Sequence, residues 1–267
     1  MKRIAFIFGA AALALTGCAM TEQAAAPLPV YAAGSLREAL TAIAADYEAR
    51  GGQKIALTFG ASGLLRQRIE QGEGAMVFAS ADTDHPQRLA TRGGWAAPQV
   101  FARNSLCALT AAHVGATPET LLATLLRPDV RVGTSTPKAD PSGDYAWALF
   151  RKADALRTGS YVLLDAKALK LTGGADSPKP PAGRGTYAWV MDEGQADVFL
   201  TYCTNAVASQ REVSRLKIVQ VPTELQVGAA YGLTVRSDAP RAARDFVAYV
   251  LSSQGQAQLQ RYGFGRP

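Results

Sequence analysis

The sequence predicts an α/β protein of two lobes, each a mainly parallel sheet flanked by helices, with a ligand cleft between them. Three observations carry that expectation. Strand-like and helix-like runs alternate as β-α-β-α-β from Val30 to Phe78, the pattern of a parallel sheet covered by helices. A second alternation begins after about residue 105. The 267 residues, 48% hydrophobic and 19% charged, suffice for two modest cores.

Each element has a local reason. Val30 to Ala33 is a short apolar run and reads as a strand. Leu36, Leu40, Ile43 and Tyr47 recur at helical spacing, and Gly51-Gly52 stops that helix. Ile55 to Phe59 is a second strand. A helix from Leu64 to Gln71 follows, with Leu65 and Ile69 four residues apart, and Met76 to Phe78 is a third strand. In the second half, Leu106 to Leu109 and Val130 to Val132 read as strands. Thr134 to Gly143 reads as a polar turn, and Tyr145, Leu149, Phe150 and Ala153 mark a helix. Gly173 to Gly183 is a loop by composition, followed by a helix from Arg184 to Glu193 and a strand from Asp197 to Tyr202. Leu216 to Val221 and Tyr231 to Val235 complete the strands, and helices fill Arg241 to Ser252 and Gly255 to Tyr262. The expected organisation is a targeting segment over 1–17, a tether over 18–28, a first lobe over 29–104 plus 223–267, and a second lobe over 105–222.

Lys2-Arg3 followed by the apolar run Ile4 to Leu15 is the pattern of an export signal, too short to span a bilayer comfortably. It ends in Leu15-Thr16-Gly17-Cys18, which resembles a bacterial lipobox with Cys18 as the lipidated residue; the other reading is a plain secretory signal. The chain has 28 Lys and Arg against 22 Asp and Glu, or 26 against 22 without Lys2 and Arg3. The basic residues are scattered, which argues against nucleic acid as a partner. Cys107 and Cys203 remain after export; they form either a disulfide, which an oxidising compartment permits, or two buried thiols. Two histidines without ligand spacing offer no metal site.

The most informative local features are two serine turns, Tyr31-Ala32-Ala33-Gly34-Ser35-Leu36 and Gly60-Ala61-Ser62-Gly63-Leu64. Each follows a strand and opens a helix. A serine there offers its hydroxyl beside the first free backbone N–H groups of the helix, and two such corners aimed at one point bind an anion without formal positive charge. Helix capping alone also explains a single such serine.

Taken in order, these turns, Val77-Phe78-Ala79-Ser80-Ala81-Asp82, Asp140-Pro141-Ser142-Gly143-Asp144-Tyr145-Ala146, Gly194-Gln195-Ala196-Asp197, Leu200-Thr201-Tyr202-Cys203-Thr204-Asn205-Ala206 and Arg261-Tyr262-Gly263-Phe264 resemble the periplasmic molybdate-binding proteins of ABC importers, a type II solute-binding family. The resemblance covers nearly all of the mature chain. It implies a type II periplasmic binding fold, with an oxyanion held by the Ser35 and Ser62 hydroxyls, backbone N–H groups of Pro141-Ser142-Gly143, the Tyr202 hydroxyl and a helix start near Gly183 or Arg184. It further implies molybdate or tungstate as ligand, no cofactor, an ABC permease as partner, and a monomer on the periplasmic side, held to the membrane by lipid alone. A site made only of donors penalises protonated phosphate, whose O–H lacks an acceptor.

Ser142 stands where the family usually has Ala, Asn205 where it usually has Asp, and Arg184 opens a helix beside the expected site. If Arg184 turns inward, the pocket gains a full charge suited to another oxyanion or a small carboxylate; the other reading points it to solvent. A serine hydrolase is disfavoured: Leu64 breaks the nucleophile-elbow pattern, and neither His85 nor His113 has a partner suggesting a triad.

Overall fold

Strand and helix alternate through the computed structural model, which describes residues 25–267. The targeting segment 1–17, Cys18 and residues 19–24 of the tether lie outside the described residues. The elements are β1 (Leu28–Ala33), α1 (Arg37–Ala49), β2 (Ile55–Gly60), α2 (Ser62–Glu70), β3 (Val77–Ser80), α3 (Asp84–Arg92), β4 (Gln99–Thr110), α4 (Leu121–Leu126), β5 (Val132–Ser135), α5 (Pro141–Leu156), α6 (Ser160–Lys167), β6 (Leu169–Thr172), α7 (Thr186–Asp192), β7 (Val198–Tyr202), α8 (Cys203–Glu212), β8 (Lys217–Gln220), β9 (Gly228–Val235), α9 (Arg241–Leu251) and α10 (Ser253–Arg261).

The strands pair in the order β2-β1-β3-β9-β4-β7-β5-β6, with β8 on β4. β1 lies parallel to both β2 and β3, and β5 lies parallel to both β6 and β7. Parallel strands covered on both faces read as unbroken apolar runs; Val77, Phe78 and Ala79 of β3, and Val198, Phe199 and Leu200 of β7, are all buried accordingly. The helices bury single faces: Leu36 in the 3-10 turn before α1 packs with Leu40 and Ile43 of α1, and Leu65 and Ile69 do the same for α2.

β4 belongs to both halves. From Gln99 to Ser105 it pairs with β9, and from Leu106 to Thr110 it pairs with β7. One strand therefore carries the chain from one sheet to the other. α9 and α10 pack together, and α10 lies on α1, so the C-terminus returns to the first half.

The structure corrects several elements. β5 occupies Val132–Ser135 rather than 130–132, because Thr134 and Ser135, polar in sequence, are fully buried and paired. α5 begins at Pro141, four residues before the apolar pattern shows it, since Asp140 caps it and proline fits its first turn. α4, α6, β6 and α8 are absent from the expected pattern. Cys203, one residue past the strand expected over Asp197 to Tyr202, is the first residue of α8.

Cys107 of β4 and Cys203 are joined by a disulfide across 96 residues of sequence. The bond ties the corner between β7 and α8 to the crossing strand. Closing a loop of that length stabilises a fold by about 4 kcal/mol in the chain-entropy picture. The double variant Cys107→Ala/Cys203→Ala should therefore lose about 4 kcal/mol in urea denaturation followed by circular dichroism.

Candidate functional site

The carboxyl ends of β1, β2 and β7 open onto one cleft, and each runs almost directly into a helix. β1 leads through the turn Gly34–Leu36 into α1, β2 passes only Ala61 before α2, and β7 passes without a break into α8. Neither α2 nor α8 has a side-chain cap at its N-terminus. The positive ends of their dipoles therefore lie beside this region, although the Gly63 amide of α2 is already taken by the Ala139 carbonyl. The cleft encloses a cavity of about 1180 Å³ lined by Ser35, Ser62, Ala81, Asp140, Arg184 and Tyr202, among others.

Hydrogen bonds behind the two serines settle which way their protons can go. The Ala81 N–H donates to Ser62 Oγ at 3.1 Å, which leaves the Ser62 hydrogen to donate elsewhere. Asn104 Nδ2 donates to Tyr231 Oη at 3.2 Å, and Tyr231 Oη lies 3.0 Å from Ser35 Oγ. Tyr231 is fully buried and Ser35 Oγ is the acceptor within reach of its hydrogen, so Tyr231 donates to Ser35, which leaves the Ser35 hydrogen for the cleft. Burial pushes Tyr231 and Tyr202 well above the usual tyrosine range, so both stay neutral donors. Tyr202 donates to the Ala81 carbonyl at 3.2 Å; a ligand oxygen must compete with that carbonyl for its proton.

Two expected site residues lie elsewhere. Ser142 and Gly143 are buried and do not line this cavity. The Ser142 amide donates to Asp140 Oδ1 at 3.0 Å and the Gly143 amide to the Asp140 carbonyl at 2.9 Å, so both donors are already engaged. Gly143 packs against the chain after β5, and the Ser142 hydroxyl is buried with no hydrogen-bond partner. Arg184 does line the cavity, but its guanidinium is occupied: Nε meets Glu212 at 2.5 Å and Nη2 meets Asp192 at 2.9 Å. Those two carboxylates hold it above the usual arginine range and offset its charge locally.

Asp140 is the residue that sequence reasoning missed. It was quoted only as the start of a turn, yet it reaches the cavity and its carboxyl is pushed up to about 6, mainly by burial. Gly173 makes room for it: a Cβ there would come within 2.6 Å of Asp140 Oδ2, and the positive φ of 75° at Gly173 suits glycine. The signal available was an acidic residue immediately before Pro141, the pattern of a capped helix start.

The two halves touch through backbone beside the cavity. The Gly63 N–H of α2 donates to the Ala139 carbonyl at 2.8 Å. Lys138, with φ of 68°, holds a left-handed conformation rare for a side-chain-bearing residue, and its N–H is anchored 3.1 Å from both Asp144 carboxylate oxygens.

His85 is buried 3.8 Å from Asp82, and His113 lies 3.4 Å from Asp197; neither engages Ser62. Among the described residues, no group of three or more His, Cys, Asp or Glu can hold a metal ion, and no helix is long and apolar enough to cross a membrane.

Comparison with known proteins agrees with this fold. Residues 28–265 match the family described as bacterial extracellular solute-binding protein. An uncharacterised protein of Pasteurella multocida is 37% identical over 240 residues, covering 88% of this chain and 97% of its own. The molybdate-binding protein ModA of Mycobacterium bovis is 31% identical over 251 residues, covering 92% and 87%. The crystal structure of the periplasmic molybdate-binding protein of Azotobacter vinelandii superposes with a TM-score of 0.68 at 19% identity, over 90% of this chain and 99% of that one, a likeness of fold. The fold neighbours are type II periplasmic binding proteins, and the family holds solutes without a cofactor rather than acting as enzymes.

Gly63 gives a direct test of the contact between the halves. A Cβ at that position would fall 2.3 Å from the Lys138 carbonyl oxygen. Gly63→Ala should hold the halves apart, raising the radius of gyration in small-angle X-ray scattering and weakening ligand binding more than tenfold, with the melting transition still cooperative.

Proposed function

Because the chain belongs to the bacterial extracellular solute-binding protein family, we propose that it captures a small tetrahedral oxyanion in this cleft, molybdate or its near relative tungstate, and delivers it to an ABC importer. The observation that carries the reading is the meeting of two serine hydroxyls, each with its proton free for the cleft, and uncapped helix starts in one cavity. Helix N-termini favour anions, and hydroxyl and amide hydrogens replace the water an anion gives up. The 31% identity to a molybdate-binding protein supports molybdate as the ion. In this reading the protein acts as a monomer on the extracytoplasmic side, anchored through lipid on Cys18, and closes about β4 when the anion binds.

Arg184 is not the anchor in this proposal. Its Nε and Nη2 are held by Glu212 and Asp192, which offset its charge and fix its direction. The reading in which Arg184 holds another oxyanion or a small carboxylate leaves it Nη1 alone, unless those ion pairs break.

Calorimetric titration with molybdate separates these readings. Each hydrogen bond to a charged group contributes about 1.5–3 kcal/mol, so Ser35→Ala and Ser62→Ala should each weaken binding by about 10- to 100-fold without loss of folding. Arg184→Ala should bind within about threefold of the parent. Parental affinity in both serine variants overturns the site, and loss of all binding in Arg184→Ala favours the charged-anchor reading.

A further inference from the structure

A carboxylate is an odd neighbour for a bound dianion, and Asp140 is one. It lines the same cavity as Ser35, Ser62 and Tyr202. Its Oδ1 accepts the Ser142 amide at 3.0 Å, where it occupies the N-terminus of α5 as an internal anion. Its Oδ2 lies on the side of Gly173, also a cavity-lining residue. The cleft is therefore not made of donors alone: Glu38 and Glu212 also line it, but both are exposed and paired with arginines, whereas the Asp140 carboxyl is buried and has no arginine or lysine partner among the described residues.

We propose that Asp140 is a specificity-determining residue of the cleft, and that an oxyanion binds there together with one proton, shared between the Asp140 carboxyl and a ligand oxygen. The proposal rests on the reading of the cleft as an oxyanion site. The reason is electrostatic. A carboxylate and an oxyanion in contact within a buried cleft repel by more than any one hydrogen bond of the site contributes. A proton between the two oxygens turns that repulsion into a charge-assisted hydrogen bond.

The groups around Asp140 do not neutralise it. Asp82, just after β3, and Asp144 on α5 are acidic and both raise its affinity for a proton. Tyr187 on α7, Tyr202 at the end of β7 and Tyr231 on β9 are uncharged, and Ser135 on β5 contributes a hydroxyl. Arg184 is already engaged by Glu212 and Asp192. With the carboxyl already pushed up to about 6, protonation is within reach near neutrality.

The ligand class follows. An anion that carries its own proton, such as hydrogen phosphate, finds an acceptor in Asp140. A fully deprotonated dianion, such as molybdate, binds only as Asp140 takes up a proton from solvent. Below about pH 6 Asp140 is already protonated and affinity for molybdate is greatest. As pH rises through that value, affinity falls, approaching tenfold per unit.

The test is calorimetry with molybdate from pH 5.5 to 8 in buffers of different ionisation enthalpy, which counts protons taken up, on the parent and on Asp140→Asn and Asp140→Ser. Both substitutions keep an oxygen able to cap α5, so one folding failure leaves the other. The parent should lose affinity with rising pH and take up close to one proton per anion near pH 8. Both variants should bind with no pH dependence and no proton uptake, at least tenfold tighter than the parent at pH 8. A parent whose affinity is flat with pH and takes up no proton overturns the role of Asp140 while leaving the anion site standing. Failure of the folded parent and variants to bind molybdate, tungstate, sulfate or phosphate at any pH overturns the anion reading itself, and this proposal with it.

Discussion

A strand that ends where a helix begins leaves amide hydrogens with no partner inside the helix, and everything about this cleft follows from three such junctions meeting at one cavity. The parallel pairing of β1 with β2 directs their carboxyl ends to the same side, and β7 brings a third from the other half. β1 and β7 are held by apolar burial, and β2, part-exposed at the sheet edge, by its pairing with β1, so the junctions are fixed by the sheets rather than by anything bound between them. The site is in this sense a by-product of chain direction: reverse one strand and its helix start leaves the cleft.

The connection between the halves is correspondingly economical. β4 serves both sheets, and the disulfide from Cys107 fastens it to the residue after Tyr202. The corner bearing Tyr202 cannot drift from the crossing strand, so movement of the second half carries that hydroxyl as a rigid passenger. On the cavity side, contact between the halves runs through the amide of Gly63 and the carbonyl of Ala139, with Lys138 held in an unusual backbone conformation to present it. That main-chain contact is indifferent to side-chain identity except where a Cβ would intrude, unlike the Tyr202 hydroxyl on the Ala81 carbonyl and the Arg211–Glu38 ion pair, which also join the halves there.

Much of this was legible in the residues, for a physical reason: buried parallel strands are continuous apolar runs, and amphipathic helices between them repeat at 3.6 residues. The disulfide was legible as one of two open readings of a cysteine pair. The cavity does gather Ser35, Ser62, Arg184 and Tyr202, four of the six residues singled out. What escaped did so for local reasons. α8 follows Tyr202 with no glycine, proline or polar turn to announce it. β6 is four residues of partly exposed chain, too short for its period to register. Thr134 and Ser135 look like loop by composition, yet their hydroxyls are satisfied inside the sheet edge, Ser135 by Thr172 at 2.9 Å. Asp140 was hidden because an aspartate before proline is so ordinary at a helix start that its second face, toward the cavity, leaves no trace in sequence.

Asn104 gives the arrangement a further property. One of its amide hydrogens goes to Tyr231 in the first half and the other to Thr204 at the start of α8 in the second, 2.9 Å away. Both acceptors sit beside fixtures of the crossing strand: Tyr231 is on β9, which pairs with β4, and Thr204 follows the cysteine fastened to β4. The hydroxyl that meets Ser35 and the helix start beyond Tyr202 therefore share one amide as their pivot, and the aim of Ser35 is tied to the crossing strand rather than to the width of the opening.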